Sequence, residues 1–340
     1  MGDQVVATLL RSAEPSIRWK IRLGVLGDDP RSKPLRALQD EIRRSPRVRA
    51  LLSRRAQLGR AGTARQVYYK WQGLHWVLAA LADLGYPEGD ETLFPIRDRV
   101  VGFWTGPGYF HEFAATTSAA SYRKRGVPII RGRYRRCGSQ QGNALRSVTA
   151  LGIADEQTDV LVERLLHWQW PDGGWNCDRS PAAQVSSFNE TLLPLRGLAA
   201  HARGRRRPAL KTAIERAAEV FLERRLFKRI RDGRLMTPDF VALHYPHYWH
   251  YDVLAGLTAM VEIGKIRDPR CADALDLLES KRLADGGWPA ERRYYAVSRA
   301  AAMRSNADAV AWGGTGRSRM NEWVTAEALT VLRAAGRLRA

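Results

Sequence analysis

Acidic and imidazole side chains stand near the predicted starts of several helices, where they are able to act as acids and bases. Glu190 and Glu322 each directly follow an asparagine, and Asp252 ends the segment 244–252, which also contains three histidines. Two carboxyl groups in one pocket acquire different pKa values and can then serve as acid and base, and imidazole titrates near neutral pH. The residue types therefore predict acid–base chemistry. The candidate catalytic residues are Glu190, Glu322, Asp252, His247 and His250.

Each of these side chains also has a structural interpretation, and the sequence leaves both open. A carboxylate in the first turn of a helix balances the positive end of the helix dipole, and Ser186, Ser187 and Asn189 are typical N-cap residues. The two Asn-Glu pairs are either a capping habit of a repeat or two halves of one site. The segment 244–252 is either a reactive site or a packed aromatic turn whose imidazoles are hydrogen-bonded.

Two cysteines and two histidines offer a metal site. Zinc takes about three or four nitrogen, sulfur or oxygen ligands, and Cys137, Cys177, His247 and His250 can supply them from three different hairpins. No Cys-x-x-Cys or His-x-x-x-His spacing fixes the geometry. Zinc is thus a possible cofactor, whereas Cys271 is predicted to pack on an outer helix.

Polar and aromatic residues also gather where the second helix of each predicted hairpin begins. Buried polar groups need partners, so such a set either bonds within itself or receives a ligand. Its tryptophan rings are able to stabilise a carbocation by cation–π attraction. The candidate substrate-binding residues are Trp19, Trp71, Gln140, Asn189, Tyr248, Trp249, Asn321 and Trp323.

The elements that must position these residues are helices. Apolar residues recur at helical spacing almost throughout, and strand-like alternation is scarce. The pattern divides into about six helical hairpins, in which the second helix is the more apolar and is therefore predicted to lie inside. Several second helices end at glycine, which readily adopts the left-handed conformation after a last helical turn. These glycines are Gly27, Gly85, Gly152, Gly264 and Gly336.

One turn sequence occurs twice between such helices. Asp-Gly-Gly-Trp is found at residues 172–175 and again at 285–288. Repetition at corresponding places is the signature of a repeat architecture. It predicts an all-α fold in a single domain over residues 1–340. The expected arrangement is an α/α toroid, in which inner helices form a barrel and outer helices wrap it.

The first copy carries a family resemblance. Gln169, Gly173 and Trp175 form the pattern Gln-x3-Gly-x-Trp, which resembles the QW repeat of squalene and oxidosqualene cyclases and the Gly-Gly-Phe/Trp repeats of protein prenyltransferase β subunits. The second copy keeps the glycine and the tryptophan but has Arg282 at the glutamine position. The resemblance implies a terpenoid cyclase/prenyltransferase-like toroid that holds an isoprenoid, or another largely apolar substrate, in an aromatic-lined cavity. The chain lacks the Asp-x-Asp-Asp acid of those cyclases and has no clear counterpart of the prenyltransferase zinc ligands, so ordinary squalene cyclisation is not expected.

Two other functions also fit the sequence. Some α/α toroids cleave sugars with paired carboxylates and tryptophan platforms. A non-catalytic helical-repeat protein is the second alternative, because a formal charge of +20 and basic clusters at 133–136, 203–207 and 224–229 suit a nucleic-acid surface. Arginines spread over solvated helix faces explain the same charge. An enzyme with an apolar or phosphorylated small-molecule substrate is the interpretation we carry forward.

Two long insertions are predicted to be lids, and the cysteine content bears on the location of the protein. The segments at about 105–136 and 292–319 are long and rich in glycine and aromatic residues, which is typical of lids. Arginines at the end of the first are able to bind a phosphate or diphosphate. No run approaches the roughly 20 apolar residues of a transmembrane helix, and the N-terminus has no signal-peptide pattern. Together with three widely spaced cysteines, this predicts a cytoplasmic protein.

Overall fold

Helices make up most of the structure, as the hydrophobic periodicity predicts. The computed structural model describes residues 2–57, 67–296, 308 and 310–338, and fourteen α-helices lie within these ranges. The predicted all-α class is confirmed, and the toroidal arrangement stays a prediction. The chain forms two compact units where the sequence pattern predicts a single domain. Residues 1–87 and 224–340 form the terminal unit, and residues 88–223 form the middle unit.

The terminal unit contains eight of the described helices, numbered here along the chain. They are α1 (Gly2–Leu10), α2 (Pro15–Ile21), α3 (Lys33–Arg44), α4 (Pro46–Gln57), α5 (Leu74–Leu84), α12 (Val253–Glu262), α13 (Ala272–Ser280) and α14 (Glu322–Ala334). A π-helical turn at Arg22–Leu26 extends α2, and 3₁₀ turns lie at Pro238–Val241 and Pro269–Cys271. Helix α5 is buried along almost its whole length, as its continuous apolar sequence predicts.

The middle unit contains the other six described helices and a small sheet. The helices are α6 (Phe94–Trp104), α7 (Ser118–Ser121), α8 (Gly138–Ala150), α9 (Glu156–Trp168), α10 (Phe188–Ala202) and α11 (Pro208–Leu222), with 3₁₀ turns at Glu91–Leu93 and Pro107–Tyr109. Strand β1 (Glu112–Ala114) pairs in parallel with β2 (Val127–Ile130), which pairs antiparallel with β3 (Arg133–Tyr134). Among the described residues, no helix combines the length and apolarity needed to cross a membrane.

The glycines predicted to end helices are confirmed. All five adopt positive φ, between 64° and 77°. At Gly85, φ is 74° and a β-carbon would lie 2.6 Å from the Trp19 ring. Both the backbone conformation and the neighbouring indole therefore require glycine at that position.

Each Asp-Gly-Gly-Trp turn makes the same hydrogen bonds within its own unit. The indole N–H groups of Trp175 and Trp288 donate to the carbonyl ten residues upstream, at 3.0 and 2.7 Å. Their backbone N–H groups donate to a threonine hydroxyl in the next helix, Thr191 Oγ1 at 3.2 Å and Thr325 Oγ1 at 2.9 Å. The repeated tryptophan thus ties the preceding helix, the turn and the following helix together.

The glutamine position of the repeat is also structural. Gln169 Nε2 donates to Gly173 O at 2.7 Å, and in the second copy Arg282 Nε donates to Gly286 O at 3.0 Å. The two glycines have φ values of 99° and 86°, a region that side chains with a β-carbon rarely adopt. The QW-like pattern therefore closes a turn, and Arg282 replaces the glutamine without loss of the side-chain hydrogen bond to the glycine carbonyl.

Helices α8 and α10 approach each other unusually closely. A β-carbon on Gly142 would lie 2.3 Å from Pro194 N, and one on Gly197 would lie 2.4 Å from Gly142 O. Because only glycine allows backbones to come so near, this contact draws the two helices together.

The structure describes the two segments predicted to be lids to different extents. Segment 105–136 holds the small sheet, which the scarce strand pattern did not predict. In it, Arg135 is 2% exposed and donates to three backbone carbonyls, including Ala183 O at 2.8 Å. In segment 292–319, residues 297–307 and 309 lie outside the described residues. A lid function of either segment stays a prediction.

Candidate functional site

Two thiols and a carboxylate converge in the middle unit. One ligand atom each from Cys137, Cys177 and Glu190 lie within 4.8 Å of one another. Cys137 is the N-cap of α8, and Glu190 lies in the first turn of helix α10. Cys177 stands two residues after Trp175, the tryptophan of the first Asp-Gly-Gly-Trp sequence. The glycine contact between α8 and α10 holds these helices, and with them the cluster, in place. We call these three residues the thiol–carboxylate cluster.

Glu190 is oriented by hydrogen bonds from both sides. It is 2% exposed, and its Oε2 accepts from Ser139 N at 3.2 Å and from Ser139 Oγ at 2.8 Å. Its Oε1 accepts from the Cys177 thiol at 3.5 Å. The carboxylate is thus buried and satisfied rather than a solvated charge balancing the helix dipole.

A guanidinium group adjoins this cluster. Arg136 directly precedes Cys137, lies 4.3 Å from the Tyr109 ring centroid, and donates to Gln140 Oε1 at 3.4 Å. Burial lowers the pKa of Arg136, while the acidic groups around it, Cys137 first, act in the opposite direction. A positive charge therefore stands beside the two thiols and the carboxylate.

The predicted zinc ligands are divided between the two units. Cys137 and Cys177 occur together as predicted, and Glu190 is the third group beside them. His247 and His250 belong to the terminal unit. The pKa of Cys177 is raised by its hydrogen bond with Cys137, by burial and by the charge of Glu190. Without an ion, Cys177 is therefore a protonated thiol near neutral pH.

The terminal unit holds a second buried cluster, centred on Asp252. This carboxylate is the N-cap of α12, and its Oδ1 accepts from Ala255 N at 2.8 Å. Its Oδ2 accepts from His244 N at 2.8 Å and lies 2.9 Å from His244 Nδ1, while its Oδ1 lies 3.2 Å from His247 Nε2. Burial raises the pKa of Asp252, but the two imidazoles outweigh it and hold the pKa well below its usual range. The carboxylate is therefore ionised and bridges two imidazoles.

His250 is an aromatic neighbour of this network, and its predicted catalytic role stays a prediction. Its ring stacks on Tyr294 at a centroid distance of 3.6 Å. Burial, with smaller contributions from His244 and Lys70, lowers the pKa of His250 to about 3. The imidazole is therefore neutral near pH 7.

Three of the predicted binding aromatics are packed in the core of the terminal unit. Trp71 stacks on Tyr248 at 4.7 Å, and Trp323 stacks on Tyr245 at 5.2 Å. Trp71, Tyr248 and Trp323 are 3%, 7% and 3% exposed, and the Tyr248 hydroxyl donates to Asp308. These rings already pack against other side chains inside the protein. Packing of the core therefore explains their presence as well as the predicted role in substrate binding does.

The two Asn-Glu pairs do not occupy equivalent positions. Asn321 is the N-cap of α14, and its Oδ1 accepts from Trp323 N at 3.0 Å. The corresponding cap of α10 is Ser187, because each cap lies four residues before the threonine that binds the turn tryptophan. Glu322 accepts from Ser12 Oγ at 2.9 Å. The pairs are therefore not a shared capping motif, and their role as two halves of one site stays a prediction.

The remaining predicted residues lie at half-buried positions. Trp249 contacts the Lys70 ammonium, 5.4 Å from its ring centroid, and Trp19 packs against Gly85. Gln140 binds Arg136, and Asn189 is half-buried in the first turn of α10.

Sequence reasoning missed three residues with clear roles in these clusters. His244 lies eight positions before Asp252, and the residues between them form neither a helix nor a strand. Arg136 read as one member of a basic run, and Ser139 as part of a polar helix start. The sequence carried a signal for two of them, since His244 belongs to the histidine-rich segment and Arg136 adjoins a cysteine. A scan of protein-family models and a search of curated proteins both found no match to the chain.

Proposed function

We propose that this chain is an enzyme whose reaction takes place at a metal ion held by Cys137, Cys177 and Glu190. The observation that carries the proposal is the convergence of two sulfur atoms and one carboxylate oxygen within 4.8 Å. Thiolates select metals such as zinc, and three protein ligands leave one position for water or substrate, as in catalytic zinc sites. Bound zinc would polarise a substrate oxygen or lower the pKa of a bound water.

The neighbouring side chains suit this role. Ser139 fixes the Glu190 carboxylate through two hydrogen bonds, and such supporting bonds orient a ligand and tune its basicity. Two thiolates and a carboxylate carry one more negative charge than a divalent ion neutralises. Arg136 supplies a positive charge beside them and presents a planar fork that binds phosphate or carboxylate oxygens.

The surroundings of Arg136 support a substrate with an anionic head and an apolar body. Phe103, Trp104 and Tyr109 form an aromatic cluster in the middle unit, with ring centroids 4.8 to 5.3 Å apart. The guanidinium lies over two of these rings. We therefore propose a terpenoid cyclase/prenyltransferase-like reaction on an isoprenoid or similar substrate that carries phosphate. Three free thiols agree with the reducing conditions of the cytoplasm, where we place the protein.

The other two functions have less support in the structure. The groups closest to Glu190 are thiols and Ser139, whereas glycoside hydrolysis needs a second carboxyl group roughly 5–10 Å away. Several cations of the basic clusters already have acidic partners. Arg207 pairs with Glu163, and Lys228 lies 2.5 Å from Asp273. Such pairing weakens the case for a dedicated nucleic-acid surface.

Elemental analysis tests the metal site. We expect about one zinc per chain in the wild type after incubation with zinc and dialysis, and loss of that zinc in Cys177→Ser. Cys271→Ser is the matched control, because Cys271 is buried in the terminal unit and its thiol donates to Lys265 O at 3.7 Å. A wild type without bound metal, or a Cys177→Ser variant with full zinc, would overturn the proposal.

A further inference from the structure

An imidazole nitrogen without a partner lies buried in the terminal unit. The His244 side chain is 1% exposed, and its Nδ1 lies 2.9 Å from Asp252 Oδ2. A bond from Nδ1–H to the carboxylate leaves the lone pair on Nε2. Nε2 has no hydrogen-bond partner among the residues that the structure describes. A buried polar atom in this state calls for an explanation, because almost all such atoms are paired in folded proteins.

The rest of the network fixes the orientation of His244. Asp252 is fully buried and also binds the backbone N–H of His244 at 2.8 Å. On the far side it contacts His247, whose Nδ1 lies 3.6 Å from Glu327 Oε2. The carboxylate therefore cannot rotate away without breaking several bonds. A buried aspartate that holds one imidazole nitrogen and leaves the other free is the arrangement of a histidine that accepts a proton.

Aromatic rings surround His244. Tyr294 packs edge-on against its ring at 4.9 Å, and His250 lies at 6.2 Å. The Tyr294 backbone is anchored, since Trp71 Nε1 donates to Tyr294 O at 3.0 Å. The Tyr294 ring also stacks on His250 at 3.6 Å, so it forms part of the wall beside His244. Flat aromatic walls of this kind suit an ester with a planar or apolar body.

We propose that His244 and Asp252 form a general-base pair that hydrolyses a carboxylic ester with a planar or apolar body. The oxygen of a water molecule bonds to the ester carbonyl carbon while His244 Nε2 takes one proton from that water. The carbon–oxygen bond to the alcohol then breaks, and the departing oxygen receives the proton from Nε2. The products are a carboxylic acid and an alcohol, and Asp252 stabilises the transient imidazolium without accepting its proton. This site uses none of the residues of the proposed metal site.

Hydrolysis of p-nitrophenyl acetate by the full chain tests the pair. We expect p-nitrophenol release above the buffer rate, with kcat lowered by about 100-fold or more in His244→Gln, the scale on which a positioned general base contributes. Asp252→Asn keeps a side-chain oxygen for the helix cap, and it is expected to lower kcat with little change in KM. His167→Gln is the control, because its imidazole is 46% exposed and its contacts with Glu112 and Tyr134 lie in the middle unit. A His244→Gln rate equal to that of the wild type would overturn the proposal.

A second measurement uses the wild-type protein, so it does not require that a variant folds. Carbethoxylation with diethyl pyrocarbonate attacks neutral imidazole nitrogens, and peptide mass spectrometry locates the modified residues. We expect ester hydrolysis to be lost in step with modification of His244, ahead of the equally buried His75, which is also 1% exposed. Loss of activity while His244 stays unmodified would contradict the proposal.

Discussion

Replacing Asp252 separates the structural contribution of the histidine–aspartate network from its chemistry. In Asp252→Ala, the backbone N–H groups of His244 and Ala255 lose their acceptors, at 2.8 Å each. Each buried donor left unpaired costs about 1–3 kcal/mol, and loss of the contacts to two imidazoles adds to this. Relief of a buried charge offsets part of the sum. We expect a net loss of about 4 kcal/mol in the free energy of unfolding.

The conservative variant should lose roughly half as much. In Asp252→Asn, the amide oxygen still accepts from Ala255 N as a helix cap. The amide NH2 then faces the backbone N–H of His244, which stays unpaired at a cost of about 2 kcal/mol. Urea unfolding followed by tryptophan fluorescence and circular dichroism measures both losses.

Asp268→Ala is the matched control for this series. Asp268 also caps a helical turn of the terminal unit and accepts from Arg270 N at 2.9 Å, but its side chain is 19% exposed. Because water can replace the carboxylate there, we expect a loss of about 1 kcal/mol or less. If Asp252→Ala cost no more than Asp268→Ala, the stability assigned to the buried network would be wrong. An Asn variant as unstable as the Ala variant would instead show that the cap oxygen contributes nothing.

Two further predictions concern the turn repeat and a buried imidazole. Thr325→Val removes the hydroxyl that accepts the Trp288 backbone N–H at 2.9 Å, and it should lower the free energy of unfolding in urea by about 1–3 kcal/mol. The control Thr330→Val loses only a hydrogen bond to its own helix and should lower it by less. Equal losses in the two variants would contradict the role of the turn. Burial lowers the pKa of His75 from 6.5 to about 3, so between those values the unfolded chain binds a proton that the folded chain does not. Stability should therefore fall as pH drops through this window, by about 2.5 kcal/mol between pH 7 and pH 4.5 for this residue. His75→Phe should lack that part of the loss in unfolding titrations at the two pH values, and an unchanged pH dependence would argue against a neutral buried imidazole.

Local patterns predicted the features of the fold that depend on local physics. The helices followed from apolar periodicity, and the glycine C-caps followed from the left-handed conformation that a helix end requires. The small sheet at 112–134 escaped detection because its strands have only two to four residues. A strand that short cannot display a clear alternation.

The clusters were predictable only in part, because they depend on contacts between distant residues. Cys137 and Cys177 were singled out by type, but Glu190 joins them through the packing of α8 on α10, which no local spacing encodes. His250 and His247 stood out in the histidine-rich segment, yet it is the His244 ring that combines a bond to Asp252 with a buried nitrogen lacking a hydrogen-bond partner among the described residues. Its partnership with Asp252 depends on the fold of the seven residues between them.

Comparison of the two copies of the turn repeat separates residues that close the turn from residues that do not. Both copies keep the tryptophan, the glycine with positive φ and the threonine, and both use them in the same hydrogen bonds. They differ at the two positions that hold the proposed metal ligands Cys177 and Glu190 in the middle unit. The second residue after the tryptophan is Cys177 in the first copy and Ala290 in the second, and the residue before the threonine is Glu190 in the first and Val324 in the second. If the thiol and the carboxylate served only to close the turn, the second copy would need equivalents, and it closes the same turn without them. This difference supports a separate role for Cys177 and Glu190, which the zinc measurement addresses directly.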